Sequence, residues 1–262
     1  MATRTLARVT RVIECGGWQE AGMGPAREES AMDFTRFDAR NYPTVSVQDG
    51  YGEWAATYED IVLDAMDLRL LARIRTVDWA QVHEVADLAC GTGRTGAWLS
   101  QQGVSTIDGV DLTPAMLEKA AAKGIYRRLL VGDLRETPLP AGGYDLATVV
   151  LADEHLPDVR PLYEETARIT QMHGYLILVG FHPFFLLSGV PTHFTRPSGK
   201  SATIECFVHL LSDHVQAALA SGWSLLEMHE GLVDDEWLAR KPKWAPYQHR
   251  PVSFAMVWQK GA

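Results

Sequence analysis

Three glycines and three aspartates carry the first chemical signal in this chain. Gly91, Gly93 and Gly96 in "DLACGTGRTGAWL" spell G-x-G-x-x-G, a turn whose missing side chains let the backbone pass close to a ligand. The helix after such a turn presents free N–H groups to negative charge. Asp111 lies about 20 residues beyond Gly91, where an acid at the tip of the next strand takes ribose hydroxyls. Asp133 closes "LLVGD" and suits a hydrogen-bond donor such as an exocyclic adenine amine. Asp87 interrupts the apolar run just ahead of the turn, where a carboxylate can face a cationic amine. Together these residues point to an adenosine-bearing ligand.

The same glycines admit a nicotinamide dinucleotide, so an NAD(P)-dependent oxidoreductase stands as an alternative. Against it, Arg94 and Thr95 follow the turn directly and leave little room for a pyrophosphate, and no Tyr-x-x-x-Lys pair follows the fourth strand-like run. A non-catalytic cofactor-binding regulator is a second alternative. His155 in "LADEHLPD" is the candidate general base, because an imidazole with a pKa near 6.5 accepts protons at neutral pH; its plainer reading is packing beside Asp153. His182, Phe184, Phe185, His193 and Phe194 interleave in "HPFFLLSGVPTHF", a wall for a flat apolar acceptor or else a small satellite core. His173, His209 and His214 are assigned to helix or strand surfaces. No histidines stand at metal-ligand spacing, so no metal is expected.

The elements that must position these groups follow from periodicity. Strand-like runs "HEVADLA", "VSTIDGVDL", "YRRLLVGD", "YDLATVVLA" and "GYLILVGF" alternate with helix-like "TGAWLSQQG", "TPAMLEKAAAKG" and "VRPLYEETARITQ". Thr113 and Pro114 read as the start of the second helix. After Phe181 the rhythm breaks; residues 182–206 carry Pro, Gly and aromatics without a helical period and are expected to form a lid or insertion. The helix "SDHVQAALASG", with Ser212 as its cap, and strands "WSLLEMHEG" and "VSFAMVWQK" complete the chain. The pattern predicts an α/β fold, a doubly wound, seven-stranded, mostly parallel sheet, with residues 32–262 as one domain. The charged, Pro-containing stretches around Trp237, Trp244 and Tyr247 are expected to be a solvated connection whose aromatics pack on the lid.

The chain has 262 residues, 47% hydrophobic and 22% charged, with a net charge of −9. That balance argues against nucleic-acid binding, which needs clustered Lys and Arg. Three separated cysteines suit a reducing, cytoplasmic compartment rather than a disulfide framework. No apolar run approaches a membrane span. Residues 1–31 place Arg4, Arg8 and Arg11 on one helical face ahead of a Gly-rich aperiodic stretch. They are expected to be a disordered extension, with organelle targeting as the alternative.

In their order, "VADLACGTGRTGAWL", "IDGVDLTPAMLEKA", "LLVGDLRETPLPAGGYDLATVVLADEHLPD" and "ARITQMHGYLILVGF" resemble the class I S-adenosylmethionine-dependent methyltransferases, especially the small-molecule type of quinone biosynthesis. The resemblance covers about Tyr51 to Phe181. It implies S-adenosyl-L-methionine as cofactor and a small, aromatic or hydrophobic methyl acceptor as partner. Carried over by position, Asp87, Gly91 and Gly93 would line the methionine part, and Asp111 would bind the ribose. Leu112, Met116, Asp133 and Leu134 would hold the adenine, and Leu151 would touch the cofactor. Tyr51, Trp54 and Tyr58 match an aromatic entry helix that closes over the methionine end or the acceptor. The acceptor would meet Tyr51, Trp54, His155, His182, Phe185 and His193. One departure is Ala89, where the family commonly has glycine; the resemblance implies that a methyl there is tolerated and narrows the pocket slightly.

Overall fold

A computed structural model describes residues 32–62 and 64–261; the extension expected over residues 1–31 lies outside them. Seven strands form the central sheet: β1 (Glu84–Leu88), β2 (Thr106–Asp111), β3 (Arg128–Val131), β4 (Tyr144–Val150), β5 (Thr170–Phe181), β6 (Trp223–Leu232) and β7 (Pro251–Lys260). Their order is β6-β7-β5-β4-β1-β2-β3. β7 runs antiparallel to both neighbours, and the other pairs are parallel. This is the mostly parallel sheet expected from the alternation of strand and helix.

Both faces of the sheet are covered, and β7 shows how. Phe254, Met256 and Trp258 enter one core with Leu162 and Tyr163, whereas Ala255 and Val257 enter the other with Leu70, Leu71 and Leu99. The side-chain period of two serves two layers at once. The helices that supply these layers include α1 (Val47–Trp54), α2 (Arg94–Gln101), α3 (Pro114–Ala122), α4 (Arg160–Ile169) and α5 (Leu211–Ala220). Leu162 and Tyr163 belong to α4, and Leu99 belongs to α2. Thr113 precedes α3 as expected, but its side chain caps nothing. Ser212 falls inside the first turn of α5, whose Leu210 N–H is held instead by the Asp213 carboxylate at 2.7 Å.

Strand order proceeds from β1 through β2 to β3 and then restarts on the other side of β1 with β4. The loops after β1 and β4 therefore turn away from each other, and a crevice opens beyond the strand tips. Residues 182–206, aperiodic in sequence, are ordered in the fold. They contain a short helix, Pro183–Leu187, and an antiparallel pair of strands, His193–Thr195 with Ser201–Ile204. Thr44–Val45 adds to that pair in parallel. Strands of three or four residues are too short to show a period. Phe194, Ala202 and Ile204 pack on Trp54 of α1, so the insertion and the segment around α1 make one cover. Gly50 permits this approach: a Cβ there would lie 2.7 Å from Ile204 Cγ1.

Two expectations need correction. His209 and His214 are buried, not on element surfaces; the His214 Nδ1 lies 3.1 Å from the Tyr163 hydroxyl. The connection before β7 is only partly solvated. Trp237 is buried, and Trp244 stacks on Phe185 with ring centroids 5.2 Å apart. His173 is exposed.

Candidate active-site cleft

The crevice at the strand tips is a cleft of about 490 Å³. Of the residues singled out in the sequence, Tyr51, Tyr58, Ala89, Gly91, Asp111, Leu112, Met116, Asp133, Leu134, Leu151 and His155 line it. A second, apolar chamber of about 120 Å³ adjoins it, the two sharing Tyr51, Tyr58 and Leu151. Trp54, Phe185 and His193 line that chamber rather than the cleft.

The three glycines do three different things. Gly91 has φ +54°, and a Cβ there would meet nothing closer than 4.0 Å, so its surroundings are open. Gly93, with φ +82°, is the left-handed residue from which α2 starts. Gly96 makes room for a tyrosine: a Cβ would sit 2.3 Å from the Tyr126 hydroxyl. That hydroxyl donates to Asp87 Oδ2 at 2.7 Å, and Thr148 Oγ1 donates to Asp87 Oδ1 at 2.8 Å. Asp87 is thus a buried brace beneath the turn, and burial pushes its carboxyl up to about 6. Neither Asp87 nor Gly93, both expected beside the ligand, reaches the cleft wall.

Asp111 lines the cleft from the tip of β2. Its Oδ2 accepts from Gly91 N–H and its Oδ1 from Thr113 N–H, each at 2.8 Å. Burial raises its pKa while those N–H groups oppose the rise. One carboxylate therefore fixes both the glycine turn and the start of α3. Asp133 is held by the Arg135 guanidinium at 2.6 Å, which lowers its pKa. Ala89 and Leu151, at the ends of β1 and β4, have φ of +51° and +55°. Left-handed backbone is unfavourable for residues bearing a Cβ, and here it occurs at two points of the cleft wall.

His155 stands where β4 gives way to a short 3-10 turn, Asp153–His155. Its Nδ1 lies 2.6 Å from the Glu205 carbonyl oxygen, which can only accept, so Nδ1 carries the proton. Nε2 then holds a lone pair and accepts from the Tyr51 hydroxyl at 2.8 Å. Burial lowers the His155 pKa to about 4, so the ring is neutral at physiological pH. Glu154 Oε1 is 3.5 Å from Nε2. Burial, followed by the nearby Asp153 charge, pushes Glu154 up to about 8. Among the described residues its Oε2 has no hydrogen-bond partner.

His182 lies outside both cavities. It caps the helix Pro183–Leu187 by accepting Phe184 N–H at Nδ1, 3.1 Å, and its Nε2 faces Glu230 at 3.0 Å. Arg94, expected to crowd a pyrophosphate, turns to Asp64 and Asp67 at 2.8 and 3.1 Å. The sequence reading missed Ser46, Gln48, Arg135, Glu205 and Phe207, all on the cleft wall. Ser46 had a local signal, since its hydroxyl accepts Asp49 N–H at the start of α1. Glu205 had none, because its part in the site is played by a backbone carbonyl.

Residues 86–178 match the family model described as "Methyltransferase domain". Methyltransferase-like protein 27 of Homo sapiens is 42% identical over 77 residues, 28% of this chain and 31% of that protein. Demethylmenaquinone methyltransferase of Thermus thermophilus is 30% identical over 119 residues, 42% of this chain and 54% of that protein. The chain thus spans about a third and about half of these relatives' own lengths. The crystal structure of an S-adenosylmethionine-dependent methyltransferase from Mesorhizobium loti superposes with a TM-score of 0.59 at 22% identity, covering 77% of this chain and 99% of that one. Among the described residues, no helix is long and apolar enough to cross a membrane. The matched domain spans the glycine turn, the Asp111 strand tip and the β4 tip beside His155, so the match falls on the segments that build the cleft.

Proposed function

We propose that this protein transfers a methyl group from S-adenosylmethionine to a small acceptor with an apolar or aromatic body. The observation that carries the reading is the cleft itself. Its wall joins an open glycine turn, a buried strand-tip carboxylate and a tyrosine–histidine pair within one space. In this reading Gly91 passes close to the cofactor, Asp111 receives the ribose hydroxyls, and Leu112, Met116 and Leu134 pack on the adenine. Asp133 takes the adenine amine in competition with Arg135. Leu151, Tyr51 and Tyr58 separate this region from the chamber assigned to the acceptor, where Trp54, Phe185 and His193 form the wall.

The cofactor, when bound, supplies a methyl group already activated by its sulfonium charge. The protein's part is to orient the acceptor, exclude water and take up a proton where the acceptor bears one. His155 is the proposed base. Its Nε2 lone pair already accepts from Tyr51, so an acceptor hydroxyl bonded to Tyr51 Oη passes its proton to that oxygen. The Tyr51 proton moves in turn to Nε2. The imidazolium formed keeps its Nδ1–H on the Glu205 carbonyl and lies beside the Glu154 carboxyl.

Isothermal titration tests the cofactor assignment. S-adenosylhomocysteine should bind in the micromolar range, and Asp111→Ala should weaken it at least roughly tenfold, as for the loss of hydrogen bonds to a charged group. Binding of NAD(H) in its place would overturn the reading.

A further inference from the structure

The chamber beside the cleft is apolar except at one side, where charge collects. Lys241 and Lys243 line it together with Trp54, Phe185, His193 and Trp244. Lys241 Nζ donates to the Ile61 carbonyl at 2.7 Å, which leaves two of its three N–H groups uncommitted. Among the described residues, Lys243 makes no hydrogen bond through its ammonium. None of their ion pairs includes Lys241, Lys243 or the nearby Arg40. The acids of the preceding helix, Asp235–Arg240, face elsewhere. Asp234 and Glu236 pair with Arg69, and Asp235 accepts from Gln248 at 2.8 Å.

His193 reports the same cluster from inside. Burial lowers its pKa, and the charges of Arg40, Lys243 and Lys241 lower it further. Two lysines therefore line one side of an aromatic chamber in a protein whose net charge is −9. Unpaired cations beside a low-dielectric cavity favour an anion, and the aromatic rings favour a flat body. A cavity of roughly 150 Å³ holds one benzene ring, so about 120 Å³ opening on a larger cleft suits a single ring.

We propose that the acceptor is a ring-bearing anion whose carboxylate or phosphate is held by Lys241 and Lys243 while the ring lies in the aromatic chamber. This deepens the methyl-transfer reading and rests on it for the word acceptor, but the anion site itself does not. The ring would reach Tyr51, Tyr58 and Leu151, the residues shared with the cleft, so its far edge would face the proposed methyl donor.

Four probes test this on the full chain saturated with S-adenosylhomocysteine: benzoate, phenyl phosphate, and the neutral benzamide and benzyl alcohol. Quenching of tryptophan fluorescence reads binding, with calorimetry as a second measure. Benzoate or phenyl phosphate should bind roughly tenfold more tightly than the neutral probes, and the tighter of the two identifies the head group. The preference should fall about threefold in Lys243→Gln, whose side chain is exposed and unbonded, and vanish in Lys241→Gln/Lys243→Gln with its melting temperature checked. Equal binding of benzoate and benzamide overturns the proposal, as does an anion preference undiminished in the double variant or no binding of any ring probe. Failure of S-adenosylhomocysteine to bind, with the anion preference intact, supports the anion site and removes only the methyl-transfer reading.

Discussion

At the scale of single residues, the informative group is His155, because two hydrogen bonds define its tautomer. Replacing it with Asn should lower turnover of a responsive acceptor by about 10²- to 10⁴-fold while leaving S-adenosylhomocysteine affinity within about twofold. A Tyr51→Phe variant that loses turnover with unchanged cofactor affinity would place the tyrosine in the same relay. The same residues set opposing pH dependences. His155 is depressed to about 4, so the unfolded chain binds a proton there that the folded one refuses. Its contribution to stability is complete above about 6.5 and is lost as pH falls toward about 4. Glu154 is raised to about 8, so the folded chain holds the extra proton. Stability should therefore fall as pH rises from about 4.5 to about 8, by up to about 1 kcal/mol per pH unit. Melting curves at pH 6.5 and 8 check this, and Glu154→Gln should remove the decline. Asp111 was legible in the sequence because an acid at a strand tip has a fixed distance from its turn. Asp87 was legible as unusual but not as a brace, since Tyr126 and Thr148 meet it only after β1, β4 and the β3 approach have assembled.

At the scale of elements, the turn from β1 to α2 shows how one motif divides its labour. Gly96→Ala places a methyl against Tyr126 and should cost about 1–3 kcal/mol by forcing that ring off Asp87. Gly91→Ala meets open space and should cost about 1 kcal/mol for its left-handed backbone. It should, however, lose cofactor affinity as the methyl enters the cleft. Thermal melts and titrations on both variants separate the two roles. Ala89→Gly is the converse case, since φ +51° suits glycine. It should stabilise the protein by about 1 kcal/mol, or about 2–4 °C in melting temperature. The alternating strands and helices were legible because each is long enough to repeat its period. The strands His193–Thr195 and Ser201–Ile204 were not, and only their pairing with each other, and that of Ser201–Ile204 with Thr44–Val45, reveals them.

At the scale of the molecule, α1 and residues 193–204 pack together beside the cleft at the strand tips. A cofactor that binds only the folded form should add about 2.7 kcal/mol at a hundredfold excess over its dissociation constant. A thermal shift with S-adenosylhomocysteine and none with NAD(H) checks this. The α/β architecture with both faces of its sheet covered was legible from sequence, whereas the joining of α1 to residues 193–204 was not, because it brings together residues 44–58 and 193–204 across most of the chain. One feature of the sheet reaches beyond ligand binding. β7 lies between β5 and β6, with Phe254 and Trp258 wholly buried there. During synthesis, about 70 residues emerge after β5 before the strand that seals its open edge begins at Pro251, and until then that edge offers unsatisfied N–H and C=O groups to any passing strand. Nascent chains halted before Pro251 are therefore expected to need chaperone protection that completed chains do not.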